Sequence, residues 1–378
     1  MVVGKKMSLL LLFSMMQCMA FAQQKNFILR TMDWGYKLVQ GDSTNPKKKY
    51  FFVIPIVSYK PETRWQAGVS LAHFFKASQD SITRTSVVRV NTIFTQNKQS
   101  SVRPFFDVFF KENKYNLRGF YQYTDFVEYY WGIGNRVTDQ TKESYSFTQH
   151  KVAIKATKLI GHNVYAGFQY NLERLTNLRF VQENGLSNAE VIGNKGYFES
   201  GFGPVLSYDS RNHIYFPTKG SFIDASISLY RPGIGSEHNF TNLTLDARKY
   251  VGLWGENVLA IQGLLQYNTA QTPFRMMGTL GSESYFRGYY FGRYRDLQAA
   301  TLQAELRKHV WGPLSLTLFG GAGNVAPTLN QLNRYVKPMY GIGIRMKAIP
   351  REKVNMRLDY AWGEKGISAL YITLNEAF

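Results

Sequence analysis

The stretch KVNMRLDY, residues 353–360, alternates polar and apolar side chains at every position. Successive side chains of a β-strand point to opposite faces of a sheet, so this pattern predicts a strand with one polar and one apolar face. The same alternation occurs at residues 222–230, 302–307 and 314–319. The polar faces carry charges of both signs, for example Arg357 and Asp359. Such strands are typical of a wet lumen on one side and lipid on the other.

Turn signals along the chain predict about sixteen strands of the length that a tilted membrane-spanning strand needs. If the N-terminus is periplasmic, the short connections lie on the periplasmic side and the long ones outside. No stretch beyond residue 22 approaches the roughly 18 consecutive apolar residues of a spanning helix. The sequence therefore predicts an all-β, transmembrane antiparallel β-barrel. The predicted strands are residues 50–60, 64–76, 83–95, 101–112, 115–124, 145–159, 163–173, 197–209, 219–230, 239–251, 257–270, 297–308, 313–323, 339–347, 353–361 and 367–377.

The first 22 residues have the features of a secretory signal peptide. Lys5 and Lys6 precede an apolar run, and the small residues of Ala20-Phe21-Ala22 form the expected cleavage site. Cys18 leaves a lipoprotein signal as an alternative, but Gln17 fits that motif poorly. We expect residues 1–22 to be the signal, residues 23–49 a short periplasmic N-terminal segment, and residues 50–378 the barrel.

Composition and charge agree with an exported membrane protein. The 25 Tyr and 27 Phe suit aromatic girdles at both membrane interfaces. A mean hydropathy of −0.27 fits a barrel, because only alternate residues face lipid. The formal net charge of +19 predicts anionic partners. For a chain in the cell outer membrane, these are phosphorylated lipids including lipopolysaccharide, or solutes in a basic lumen, and we expect no nucleic acid.

Two segments are more specific than the alternation. They are SYDSRNHIYFPTKGSF at residues 207–222 and GSESYFRGYYFGRYRD at residues 281–296. Together with the final strand, which ends in Phe378, they resemble the BamA/TamA superfamily of outer-membrane assembly and translocation barrels, also called bacterial surface antigens. The resemblance is strongest from Tyr197 to the C-terminus and weaker at residues 54–70 and 129–135. It implies sixteen strands, a weak seam between the first and last strands, a long extracellular loop folded into the lumen, and a short member without POTRA domains.

Arg287, Gly288 and Tyr289 match the signature of that loop. In the family this arginine meets acidic residues on the strand walls, and Glu305 occupies one such position. Alternation independently points Glu305 toward the lumen, where the five donors of an arginine need a carboxylate. The second acidic position falls at Gly321, which implies that this contact is lost or supplied elsewhere. Gly288 allows close approach of the backbone to the wall. The alternative is an ordinary exposed arginine in a tyrosine-rich loop.

Asp209, Arg211, Pro217 and Gly220 match the periplasmic turn of the family. We expect a structural role for them, because Asp, Pro and Gly favour turn conformations.

The final strand resembles the C-terminal targeting signal by which assembly machinery recognises barrels. Its residues are expected on one face: Leu370, Ile372, Leu374 and Phe378. Glu376 interrupts this face where the strand nears the aqueous boundary. The alternative for Phe378 is a simple girdle residue.

Catalytic motifs are absent from the sequence. It contains no G-x-S-x-G elbow, P-loop or H-E-x-x-H, and its six histidines lack metal-ligand spacing. We therefore expect no enzyme, cofactor or metal.

The favoured function is outer-membrane protein assembly or translocation, or an accessory subunit of such a complex. Expected partners are the assembly machinery during insertion, outer-membrane lipids and other subunits. The alternatives are a passive pore with a basic lumen for anionic solutes and, less favoured, an outer-membrane lipid hydrolase.

Overall fold

The computed structural model of the chain describes residues 50–60, 64–80, 82–181, 185–186, 190–349 and 354–378. The predicted signal peptide and N-terminal segment, residues 1–49, lie outside the described residues. Within the described ranges, no helix combines the length and the apolar character that crossing a membrane requires.

The described part of the chain is almost entirely β-structure. Four short 3-10 turns interrupt it: Asp139–Thr141, Pro232–Ile234, Leu329–Gln331 and Glu364–Gly366. The strands are β1 (Tyr50–Lys60), β2 (Arg64–Phe75), β3 (Ser86–Thr95), β4 (Ser100–Phe110), β5 (Tyr115–Tyr130), β6 (Glu143–Gly161), β7 (Val164–Phe180), β8 (Tyr197–Asp209), β9 (Gly220–Tyr230), β10 (Phe240–Gly252), β11 (Val258–Asn268), β12 (Gly278–Thr279), β13 (Arg295–Asp296), β14 (Gln298–Trp311), β15 (Leu314–Ala326), β16 (Lys337–Ile349), β17 (Val354–Trp362) and β18 (Ser368–Leu374).

Sixteen of these strands form one antiparallel sheet in sequence order, from β1 to β11 and then β14 to β18. The two short strands β12 and β13 pair with each other inside the β11–β14 loop. β1 and β18 are the two edges of the large sheet. The predicted all-β barrel of about sixteen strands is thereby confirmed, with an unpaired seam between its first and last strands in the described part.

Three strands differ clearly from their predicted lengths. β5 and β7 continue beyond the predicted ends at residues 124 and 173, because both stay paired with the long strand β6 up to Tyr130 and Phe180. β18 ends at Leu374 rather than at residue 377. The reason is Asn375, whose φ of 65° turns the backbone out of the extended conformation.

The burial pattern of the barrel is inverted relative to a soluble protein. On β14 and β15, Leu302 and Leu318 are 60% and 61% exposed. Their neighbours Gln303, Glu305 and Arg307 are almost completely buried. The largest fully buried side chains include four arginines: Arg287, Arg307, Arg345 and Arg357. The apolar face is therefore the outer one and the charged face lines the lumen, as alternation predicts for a membrane barrel.

A charge placed on the outer face should destabilise the barrel according to its depth. Leu318 lies near the middle of the apolar face of β15, opposite Ile342 of β16. We expect Leu318→Arg to lower the free energy of unfolding from lipid vesicles by about 2–4 kcal/mol. Leu314→Arg, at the start of the same strand, is the matched control and should cost less, because the end of a strand is nearer to water. Equal unfolding free energies for Leu318→Arg and the wild type would contradict a lipid-facing surface.

Candidate functional site

The 269–297 loop, which joins β11 to β14, folds into the barrel. Its stem is the β12–β13 pair, in which Gly278 lies opposite Asp296. Apolar side chains of the loop and of the barrel wall form one buried cluster: Leu280, Phe286, Tyr289, Tyr294, Ala299, Phe319, Val325, Met339 and Ala361. The loop is therefore packed against the lumen wall and not extended into solvent.

Arg287 lies at the centre of this loop and is completely buried. Its Nη2 is 2.7 Å from Glu305 Oε2, and its Nη1 is 2.5 Å from Asp359 Oδ2. The guanidinium also lies over the Phe319 ring, 3.5 Å from the centroid. Both carboxylates are fully buried as well. Removing one partner of such a group leaves uncompensated charge away from water, which costs several kcal/mol.

The second carboxylate of the site comes from β17 rather than from β15. At Gly321, the position that the resemblance assigns to it, a Cβ would collide with the Leu302 carbonyl oxygen and lie 2.9 Å from Gln303 Cα. The wall therefore has no room for a side chain there. Asp359 supplies the charge instead, and it belongs to the polar face of the strand that alternation had identified.

Arg345 and Arg307 extend the site along the wall. Arg345 Nη1 is 2.5 Å from Asp359 Oδ1, and Arg307 Nε is 2.8 Å from Glu305 Oε1. Glu376 then contacts both arginines, with its Oε2 2.8 Å from Arg345 Nε and 3.4 Å from Arg307 Nε. Sequence reasoning did not identify these residues as a group, because alternation predicts which face a residue is on but not its partners across strands.

Gly288 and Tyr289 attach the loop tip to the last strands. Gly288 has a φ of 97°, and a Cβ there would lie 3.0 Å from the Trp362 carbonyl carbon. The Gly288 N–H donates to Tyr371 Oη at 3.0 Å. The Tyr289 hydroxyl donates to the Pro338 carbonyl at 2.6 Å. Burial raises the pKa of Tyr289 to about 12, so the hydroxyl keeps its proton.

Glu364, in the turn between β17 and β18, holds the same tip from the other side. Its backbone N–H donates to Tyr289 Oη at 2.9 Å, and its carboxylate accepts from Tyr294 and Lys337. Burial raises the pKa of this carboxyl, but the hydrogen bonds from Lys337 and Tyr294 outweigh that effect and keep it below its ordinary value. Glu364 is therefore charged at neutral pH.

A second arginine of the loop reaches the opposite wall. Arg275 Nη1 lies 2.5 Å from Glu128 Oε2 on β5, and its guanidinium stands over the Phe147 ring at 3.8 Å. The loop is thus attached both to the β14–β17 wall and to the β5–β6 wall.

The turn at residues 210–219 is held by Asp209 and Gly220. Asp209 accepts hydrogen bonds from the Arg211 backbone and guanidinium, and from Arg84 Nη1 at 2.7 Å. Gly220 has a φ of 105°, and a Cβ there would collide with the Ser210 carbonyl oxygen. Pro217 is buried, and its carbonyl lies 3.5 Å from Arg307 Nη1. Asp209 therefore joins the turn to Arg84.

The expectation for the last strand is wrong in one respect. Leu370 and Ile372 are exposed on the outer face, but Phe378 is not on that face with them. It is buried inside the barrel beside Tyr250 and Ala260. The left-handed Asn375 breaks the alternation on which the expectation depended.

A serine and a histidine come close together at the loop end of the barrel. The Ser236 hydroxyl donates to Glu199 Oε2, and His238 Nδ1 contacts the other oxygen of the same carboxylate. The carboxylate, and not an imidazole, therefore holds the serine hydroxyl. A nucleophilic serine needs the reverse order, with histidine between serine and acid.

The barrel and its docked loop define an integral outer-membrane β-barrel with a loop packed against its lumen wall. The model of the Omp85 superfamily domain matches residues 84–378, and the chain belongs to this superfamily. A similar solved structure is the crystal structure of BamA from Haemophilus ducreyi lacking POTRA domains 1-3, with a TM-score of 0.53 and 14% identity over 86% of this chain and 69% of that one. At this identity the likeness shows the fold. No curated protein matches the chain.

Arg287→Ala should release the loop from the wall. Because two buried carboxylates lose a partner, we expect the free energy of unfolding to fall by about 3–5 kcal/mol. Limited chymotrypsin digestion should show faster cleavage near Phe286 and Tyr289. The control is Arg293→Ala in the same loop, whose ion-pair partner Asp139 has a side chain 71% exposed. This variant should lose about 1 kcal/mol or less. Identical digestion of the Arg287 variant and the wild type would contradict the docking contact.

Gly220→Ala should destabilise the turn end of the barrel. An alanine at this positive φ is strained by about 1–3 kcal/mol, and its Cβ also meets the Ser210 backbone. Gly233→Ala is the matched control, because a Cβ there meets nothing within 4 Å. Urea unfolding in lipid vesicles measures both variants, and equal midpoints would show that Gly220 is not required by the turn.

Proposed function

We propose that this barrel takes part in outer-membrane protein assembly or translocation, or serves as an accessory subunit of such a complex, and that it is not an enzyme. The observation that carries the proposal is the buried Arg287, which fastens a lumen loop between Glu305 and Asp359. Membership of the Omp85 superfamily supports the same conclusion. A barrel whose interior is built to hold its own loop is suited to acting through its wall rather than through its centre.

Contacts at both ends of the barrel favour the proposed function over the passive pore. At the loop end, Asn135 Nδ2 bonds Asn324 Oδ1 at 3.0 Å, so that the 131–142 and 269–297 loops and β15 meet over the mouth. At the opposite end, Arg84 bridges the 76–85 loop to Asp209, the last residue of β8. A cavity of about 280 Å³ lies between the turn-end wall and the C-terminal residues.

The seam between β1 and β18 is the proposed working surface. β18 has seven paired residues, whereas β1 pairs with β2 over eleven. Each of these strands has one edge that is not in a ladder of the described sheet. Unpaired backbone groups of an edge strand accept another strand. We propose this seam as the gate at which a client strand or lipid contacts the barrel.

Leu370, Ile372, Leu374 and Phe378 are proposed as the signal that assembly machinery recognises during insertion of the barrel. The buried position of Phe378 in the folded barrel does not conflict with this role, because such a signal is recognised while the strand is still extended and unfolded. Lipopolysaccharide and other outer-membrane lipids are the proposed contacts of the apolar outer face.

Affinity purification from native membranes in mild detergent tests the proposed function. We expect the tagged chain to retain subunits of the outer-membrane assembly or export machinery. An unrelated tagged outer-membrane barrel, expressed at the same level, is the control. Recovery of a solitary protein at the level of that control would contradict the proposal.

Planar-bilayer recording distinguishes the proposed function from the passive pore. Because the loop is packed inside the barrel and contacts two of its walls, we expect a low conductance with brief openings for the wild type and longer openings for Arg287→Ala. Arg293→Ala should behave like the wild type, because its partner lies outside the buried cluster. A large, steady conductance of the wild type, selective for anions, would favour the pore.

A further inference from the structure

Residues 375–378 turn inward and contact side chains of the lumen wall. After Leu374, the Asn375 N–H still donates to the Asn355 carbonyl at 2.7 Å, and its φ of 65° then directs the chain into the barrel. Residues 375–378 are called the tail below. Its side chains Glu376 and Phe378 are both almost completely buried.

Glu376 is bound by three groups of the wall. Arg345 Nε lies 2.8 Å from its Oε2, Asn355 Nδ2 lies 2.7 Å from its Oε1, and Arg307 Nε lies at 3.4 Å. Both arginine side chains are at most 2% exposed. Two buried guanidinium groups and an amide that converge on one carboxylate have the composition of a carboxylate-binding site.

Phe378 adds an apolar contact beside this charged one. It packs against Tyr250 of β10 and Ala260 of β11. Its backbone oxygen accepts from Arg307 Nη2 at 3.0 Å, and the same guanidinium lies 5.8 Å from the ring centroid. The tail thus ties the edge strand β18 to strands in the middle of the sheet.

The tail and the 269–297 loop share the same charged groups. Arg345 binds Glu376 from the tail side and Asp359 from the loop side, and Arg287 of the loop binds Asp359 as well. Arg307 likewise contacts both Glu376 and Glu305. Removal of Glu376 leaves Arg307 and Arg345 buried with less opposite charge, beside the same two carboxylates that hold Arg287.

We infer that the lumen wall contains a carboxylate-binding site, formed by Arg307, Arg345 and Asn355, which the chain fills with its own Glu376 and whose occupancy is coupled to the docking of the 269–297 loop. The ligand class is an acidic side chain followed two positions later by an aromatic residue. Coupling of this kind is reciprocal, so loosening the loop must also loosen the tail. The inference does not depend on the role of the barrel in assembly.

Chemical labelling of the tail tests the site and the coupling together. Ala377→Cys, in a chain with Cys18→Ser, reports how often the tail leaves the wall. We expect Glu376→Gln to increase the labelling rate and the chymotrypsin cleavage of the loop by about tenfold, and Arg287→Ala to increase the labelling rate. Glu199→Gln is the matched control, because this buried lumen carboxylate is held by Ser236 and His238, away from the groups that bind the tail and Arg287. It should leave tail labelling unchanged.

Two results would contradict the inference. An unchanged labelling rate in Glu376→Gln would overturn the carboxylate site. Release of the tail without faster cleavage of the loop would overturn the coupling. Circular dichroism of each variant in detergent shows whether the barrel itself has formed.

A peptide experiment tests the site without a charge substitution in the wall. The chain is ended after Leu374, and a labelled, C-terminally amidated peptide with the sequence of residues 374–378 is added. We expect binding by fluorescence anisotropy, and about tenfold weaker binding when glutamine replaces the glutamate of the peptide. Equal affinity of the two peptides would overturn the proposed recognition of the carboxylate.

Discussion

The pairing of Arg287 with Glu305 and Asp359 is the interaction on which the interior of this barrel depends. All three groups are buried, so each is stable only while the others are present. The two carboxylates belong to β14 and β17, and the arginine belongs to a loop that leaves the sheet between β11 and β14. One guanidinium therefore ties the loop to two strands of the wall, β14 and β17.

The need to hold the buried Arg287 also accounts for the residues that line the wall around it. Gly321 keeps its place on β15 free of a side chain, which leaves the carboxylate to β17. The Phe319 ring packs against the Arg287 guanidinium, whose Cζ lies 3.5 Å from the ring centroid. Arg345 and Arg307 balance the two acids and bring in Glu376 from the end of the chain. Loop, wall and tail thus form one continuous network of buried charges.

Much of the barrel follows from local sequence, since alternation depends only on neighbouring residues. The segment 302–307 shows which residues face lipid and which face the lumen, and the strand count follows from the turns. The contact of Arg287 with Asp359 joins residues 72 positions apart, and no local pattern contains it. The predicted position of Phe378 was wrong for a related reason. A single left-handed residue, Asn375, interrupts the period of two, and its sequence context does not indicate this.

Hydrogen–deuterium exchange across residues 280–294 tests the central claim most directly. In the docked loop, the Leu280 N–H donates to the Tyr294 carbonyl and the Gly288 N–H donates to Tyr371 Oη, both at 3.0 Å. The account predicts that these amides, in lipid nanodiscs, exchange as slowly as those of β14 and β15. Exchange as fast as that of an exposed turn such as residues 231–235 would contradict a loop held inside the barrel.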